Sequence, residues 1–223
     1  GNVSSTSSIS FTLDTTVPGS PTVTLATSAG TVVDEFETER HLTNDRTVQI
    51  TGLEEGAMWE FRGGGYTGSW QVGSGSSLEL EGADGTKDLQ VRQVDLAGNV
   101  QSWWVDLLVQ LDTSAAALGV SLAADTGSND ADSITNNGLV SFDLTSLEEN
   151  ASWQYSLNGT DWVAGTESSI AVEGDGDKTV SIRQTDQAGN TSTISSVSFT
   201  LDTAAAALGV SLAADTGSND ADG

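Results

Sequence analysis

Residues 139–157 read LVSFDLTSLEENASWQYSL. Apolar and polar residues alternate on both sides of an acidic turn, with Val140, Phe142 and Leu144 before it and Trp153, Tyr155 and Leu157 after it. A period of two marks a strand with one face buried and the other wet. The same alternation runs outward in both directions. Leu118, Val120 and Leu122 lie upstream, and Ile170 and Val172, Val180 and Ile182, then Val197, Phe199 and Leu201 lie downstream. The turn-forming stretches DTGSND, EEN, NGTD, GDGD and DQAGN separate these runs. Only the Ala-rich stretch 115–124 competes as a helix, and the alternation of Leu118, Val120 and Leu122 assigns it to a strand.

About seven short strands in roughly 90 residues, with a Trp on the third, is the pattern of an immunoglobulin-like sandwich. Trp153, and Trp59 in an upstream copy, take that central position with no cysteine beneath them. The copies are explicit. LDTSAAALGVSLAADTGSNDAD (111–132) returns as LDTAAAALGVSLAADTGSNDAD (201–222), with Ser114 against Ala204 the one change. GNVSSTSSISFTLDT (1–15) parallels GNTSTISSVSFTLDT (189–203), VRQVDLAGN (91–99) parallels IRQTDQAGN (182–190), and GLEEGAMWEF (52–61) parallels SLEENASWQY (146–155). The expected organisation is therefore the last strand of a preceding sandwich in 1–14 and a first complete sandwich in 15–111. A second occupies 112–201, and the first strand and A–B loop of a following one occupy 202–223. The first copy diverges most between Ser28 and His41, where its A–B loop is longer. Repetition at this spacing implies an all-β chain of tandem immunoglobulin-like sandwiches in an extended array. The start at Gly1, with no Met and no signal-like segment, reads as a fragment or processed piece.

Of 223 residues, 32 are acidic, 7 basic and one is histidine, giving a formal charge of -25. A surface this negative repels phosphate backbones and anionic lipid, which argues against nucleic-acid and membrane-surface partners and for a monomer. No apolar run approaches the ~20 residues of a membrane-spanning helix. Zero cysteine excludes disulfides, thiolate zinc sites and cysteine nucleophiles.

The acidic residues cluster at turns, and strand order says where those turns meet. At one end of the second sandwich the incoming segment brings Asp112, the B–C turn brings Glu148, Glu149 and Asn150, and the F–G turn brings Asp186 and Asn190. At the other end lie Asp125, Asn129, Asp130 and Asp132 of the A–B loop, Asp175 and Asp177 of the E–F loop, and Asp202 beyond. Crowded carboxylates repel by about 1 kcal/mol per pair even in a high-dielectric setting. A hard divalent cation relieves that repulsion. Calcium takes 6–8 oxygen ligands of these kinds, whereas zinc wants His or Cys. Two competing readings use the same residues: plain turn chemistry, which favours Asp and Asn, and a solvated acidic surface.

DTGSNDADSITNN, LEENASWQYSLNGTDWVAG and IRQTDQAGN, in this order, resemble the bacterial Ig-like repeats of very large type I-secreted, RTX-type repetitive adhesins. The resemblance covers nearly the whole chain and is strongest in the second copy. It implies Ca²⁺ at domain junctions, neighbouring repeats of the same chain as partners, and an extracellular place on the bacterial cell surface. Its implied role is a stiff extender in adhesion or biofilm formation. It supports Asp112, Asp125, Asp130, Asp132, Asp186, Asn190 and Asp202 as ligands, and in the first copy Asp14, Asp95 and Asn99. There the A–B loop reads SAGTVVDEFETERHLTND, which lacks DTG but stays acidic through Asp34, Glu35, Glu37 and Glu39.

Catalysis finds no support. Glu54–Glu55 and Glu148–Glu149 are adjacent pairs that point apart, and His41, the only histidine, has no triad around it. SLNGTDW (156–162) resembles a structural hairpin of sialidases with Asn158 in place of Asp, and RGGGY (62–66) lacks the helix and lysine of a phosphate loop. One feature favours a different role. With Val105, Leu107, Val109 and Leu111 facing inward, Trp104 and Leu108 face outward, near Arg62, Tyr66 and Trp70 in sequence. That set is a candidate glycan- or protein-binding patch, unless a neighbouring loop covers Trp104.

Overall fold

A computed structural model describes residues 1–63 and 68–211. They contain no helix, so none is long and apolar enough to cross a membrane. The chain forms two compact units. One comprises Gly1–Ala116 with the turns Leu147–Ser152 and Gln184–Thr193; the other comprises Ala117–Ser146, Trp153–Arg183 and Ile194–Gly223.

The first sandwich contains β1 (Thr22–Leu25), β2 (Gly30–Val33), β3 (Glu39–Thr43), β4 (Thr47–Thr51) and β5 (Met58–Gly63). It continues with β6 (Gln71–Val72), β7 (Ser77–Glu79), β8 (Gly85–Val94) and β9 (Val105–Leu111). One sheet has the order β1-β4-β7 and the other β2-β3-β9-β8-β5-β6. Alternation dictates what lies between them. Val48, Ile50, Trp59, Leu80, Leu89, Val91, Leu107, Val109 and Leu111 are buried in one cluster. Trp59 donates its indole N–H to the Gly75 carbonyl at 2.9 Å.

Gly73 explains why the strand after this Trp turns on a glycine. A Cβ there would lie 2.3 Å from three Trp59 ring carbons, and a Cβ at Gly165 would lie equally close to Trp153. Each glycine also donates its N–H to the carbonyl of the Trp it faces, at 2.9 Å.

The A–B segment of the first sandwich differs from the acidic loop expected. It is a β-hairpin, with β2 antiparallel to β3 and β3 parallel to β9. Asp34 makes the turn. Its carboxylate accepts the N–H of Phe36 and of Thr38, each at 2.9 Å, and the Arg40 guanidinium at 2.8 Å. Those bonds hold the Asp34 carboxyl below its ordinary value, the Arg40 bond contributing most. Arg40 also pairs with Asp88 on β8, tying the hairpin to the sheet.

The second sandwich contains β10 (Gly119–Leu122), β11 (Ile134–Thr135), β12 (Leu139–Asp143) and β13 (Ser152–Ser156). β14 (Val163–Ala164), β15 (Ser169–Ala171), β16 (Gly176–Thr185) and β17 (Ser195–Leu201) complete it. Its sheets have the orders β10-β12-β15 and β11-β17-β16-β13-β14. Phe142 and Trp153 pack as a tilted pair, centroids 5.0 Å apart and planes at 59°, and Val140, Val180, Ile182, Phe199 and Leu201 are also buried. Two details depart from the alternation. β10 starts only at Gly119, although Leu118 is buried, and Leu157 is exposed because β13 ends one residue earlier, where the Ser156 hydroxyl and Asn158 close a turn.

Residues 1–21 hold no strand, and Ile9, Phe11 and Leu13 are exposed. They carry a strand's alternation with no sheet beside it, and a lone strand is not stable in water. Residues 202–211 hold no strand either. The rest of the expected following repeat, and Tyr66, lie outside the described residues.

Candidate metal centre

Three chain segments deliver one carboxylate each to a single point. Asp112 follows β9, where its N–H donates to the Thr43 carbonyl at 3.0 Å. Glu148 stands in the B–C turn, closed by the Ala151 N–H on its own carbonyl and by Asn150 in a left-handed conformation at φ 60°. Asp186 opens the turn DQAGN; its Oδ1 accepts the Asn190 N–H at 2.8 Å and its Oδ2 accepts Asn190 Nδ2 at 2.7 Å. One oxygen from each of Asp112, Glu148 and Asp186 lies within 4.8 Å of the other two. All three residues and their immediate partners belong to the first compact unit.

Electrostatics at the cluster are unfavourable as they stand. Burial pushes the Asp112 carboxyl above its ordinary value, and the charges of Asp186, Glu148 and Asp84 push it the same way against the Ser114 N–H. No ion pair among the described residues involves any of the three. The donors are all carboxylate oxygens, with no imidazole or thiolate, which fits a hard cation and not zinc. Three carboxylates from three separate segments suit calcium, whose coordination tolerates irregular geometry, better than magnesium.

Asn190 also positions the carboxylates. Its Nδ2 donates to Asp186 and, at 2.9 Å, to the Asp112 carbonyl. A second positioning group escaped the sequence reading. Gln184, on β16, has no exposed surface. Its Oε1 accepts the Glu148 N–H at 3.1 Å and its Nε2 donates to the Ala116 carbonyl at 2.6 Å, while the Ala116 N–H reaches Glu148 Oε1 at 2.7 Å. The first sandwich repeats this clasp. Gln93 accepts the Glu54 N–H and donates to the Gly19 carbonyl, and the Gly19 N–H reaches Glu54 Oε1 at 3.0 Å. The sequence signal was present in the shared VRQ and IRQ, whose glutamine stands where an apolar residue is expected.

The remaining sequence-derived ligands are placed differently. Asn99 donates to Asp95 at 2.7 Å and to the Asp14 carbonyl at 3.1 Å, copying Asn190. Asp14 is exposed and accepts the Thr16 N–H, and these residues do not form a cluster of three carboxylates within 4.8 Å among the described residues. At the other end of the second sandwich, several of the acidic groups also close turns. Asn129 accepts the Ala131 N–H and Asp132 the Ile134 N–H. Asp175 caps Thr203 through its N–H and hydroxyl, Asp177 accepts the Thr200 hydroxyl, and Asp202 accepts the Ala204 N–H. Asp130 is exposed. Asp125 accepts the Ser133 N–H with Oδ2, while its Oδ1 is buried with no hydrogen-bond partner.

The aromatic patch is more closed than expected. Trp104 and Leu108 face outward but are half-buried. Arg62 lies 4.9 Å over the Trp104 ring and 4.6 Å over Trp70, and Arg92 lies 4.1 Å over Trp70. The indole left open is Trp103, 77% exposed.

Residues 110–203 match the family described as the bacterial Ig-like domain. The fold is an immunoglobulin-like β-sandwich. No curated protein sequence matches the chain. Among solved structures, the fibronectin(III)-like modules of CbhA from Clostridium thermocellum are 17% identical over 81% of this chain and 94% of theirs, with a TM-score of 0.41. A tetra-tandem repeat in the extending region of a large adhesion protein is 18% identical, with a TM-score of 0.28 over 83% of this chain and 50% of that one. A cytokine receptor complex is 17% identical, with a TM-score of 0.30 over 74% of this chain and 95% of that one.

Proposed function

We propose that these sandwiches are calcium-stiffened extender repeats of a bacterial cell-surface adhesin, extracellular and without catalytic activity. The observation that carries this reading is the cluster of Asp112, Glu148 and Asp186. A calcium ion there clamps the segment 112–116 to the turns that hold Glu148 and Asp186, and converts mutual repulsion into shared attraction. The chain passes through that segment from β9 to β10, so a bound ion fixes the segment's path. The bacterial Ig-like match over 110–203 and the near-identical copies at 111–132 and 201–222 support a repeated mechanical element. Sites of this kind in extracellular modules bind at about 10⁻⁴–10⁻³ M. Millimolar calcium, about one- to tenfold over such a constant, adds about 0.4–1.4 kcal/mol of stability. The test compares thermal melts and small-angle scattering in millimolar calcium and in EGTA. Calcium is expected to raise the melting temperature and narrow the scattering distribution for the parent chain, but not for Glu148→Gln/Asp186→Asn. Identical melts and profiles with and without calcium would end the proposal.

A second reading rests on Trp103. An indole this open suits a glycan or protein ligand, and binding on a glycan array that is lost in Trp103→Ala would favour it over the spacer.

A further inference from the structure

We propose that the free edge of β2 docks a basic, extended segment of a partner protein by strand addition. Among the described residues β2 has one neighbour, β3, and ends the six-stranded sheet. The Asp34 N–H donates to the Thr38 carbonyl at 3.0 Å. By the alternation of an antiparallel ladder Val32 then pairs with Arg40, while at the start of β2 the Leu42 carbonyl accepts the Ala29 N–H at 2.8 Å and the Gly30 N–H donates to Ser28 Oγ. The N–H and C=O groups of Thr31 and Val33 are left pointing away from the sheet. β2 reads Gly-Thr-Val-Val, with neither the lysine nor the proline that commonly blunts an edge.

The hairpin is extra to the fold. In the second sandwich the corresponding segment contributes only β11, two residues long, directly beside β17. In the first, Asp34 and Arg40 hold the hairpin rigid while it displays Val33 at 68% exposure and Phe36 at 77%. A rigid edge loses little entropy on binding, and an exposed aromatic beside it supplies an anchor.

Charge selects the occupant. Glu35, Glu37 and Glu39 are all exposed around this edge, on a chain of net charge -25. A second copy would set its own glutamates against these, and like charges across a strand pair are destabilising. A segment that alternates Lys or Arg with apolar residues places its cations against the glutamates and its apolar side chains beside Val33 and Phe36. Main-chain bonds to Thr31 and Val33 supply the register.

The probe is the peptide Lys-Val-Lys-Val-Lys-Val-Lys, titrated into the whole chain with amide chemical shifts and hydrogen exchange as readouts. Saturable binding is expected, with shifted and protected amides at Thr31 and Val33. Thr31→Pro deletes only an outward N–H, so it is expected to leave the β2–β3 pairing intact and to weaken binding about tenfold. Phe36→Ser and Glu39→Lys serve as independent variants, each expected to weaken binding with an unchanged melt. A peptide of equal charge with Pro in place of Val is expected not to bind saturably. Three outcomes overturn the proposal: shifts spread over the acidic surface, equal affinity for Thr31→Pro and both independent variants, or self-association of the chain through this edge in place of peptide binding.

Discussion

Asp112 faces two opposed demands. Burial and the neighbouring charges of Asp186, Glu148 and Asp84 disfavour its ionised form, yet a cation needs that form. With its folded-state value raised, the group's stabilising contribution is complete below the unfolded value and is lost as pH rises through the folded one. At neutral pH without calcium, ionised Asp112 therefore works against folding. Asp112→Asn in EGTA is expected to melt higher than the parent. In calcium the same variant is expected to lose most of the calcium-dependent rise. Calorimetry in both buffers checks this; a variant that melts lower than the parent in EGTA contradicts it. The sequence exposed this cluster because Asp112, Glu148 and Asp186 each sit in a turn whose end of the sandwich follows from strand order. It did not separate them from Asn129, Asp132 and Asp175, whose oxygens close turns or cap the chain. Turn-closing carboxylates that converge and those that stay apart look alike in a sequence. Gln184 stayed hidden for the opposite reason, since a buried amide breaks the alternation that locates strands.

At the scale of strands and hairpins, the two Trp–Gly contacts set the tightest constraint. Gly165→Ala drives a methyl into the face of Trp153. The loss is expected to be about 1–3 kcal/mol, read as a lower midpoint in urea with unchanged slope. A midpoint within error of the parent would show that the Trp153 ring can move aside. Alternation made β12, β13, β16 and β17 legible because each is long enough to show its period. β2 was not, since Thr31–Val33 are few and the acidic tip Asp34–Thr38 masks the hairpin that Asp34 itself closes. The outward face of β5, β8 and β9 was half-read. Trp104 and Leu108 do point out, but Arg62 and Arg92 cover the rings that sequence spacing left open.

Across the whole molecule, the carboxylates divide by what holds them. Asp34, Asp45, Asp84, Asp95, Asp143 and Asp175 all lie below their ordinary value. The leading causes are side-chain bonds from Arg40, Thr27, Asn99, Thr145 and Thr203, and for Asp84 the Thr113 N–H. Their stabilisation is present above the unfolded value, about 3.9, and is lost as pH falls through the folded ones. The proton taken up earlier goes to Asp112, whose ionised form burial and the charges of Asp186, Glu148 and Asp84 disfavour. Stability in EGTA is therefore expected to rise from pH 7 to about 5 and fall below about 4. Melting temperatures across that range test it, and a steady fall from pH 7 would contradict it. The repeat itself was plain in the sequence, while the exposure of Ile9, Phe11 and Leu13 was not, because alternation records a strand's faces and not its neighbours. The glutamine clasp has one more consequence. Gln93 and Gln184 each grip main-chain atoms, and the gripped residue is Gly19 in one copy and Ala116 in the other. A lock that ignores side chains tolerates sequence drift at the gripped position, so duplicated or recombined copies of the unit can be joined without compensating mutations there.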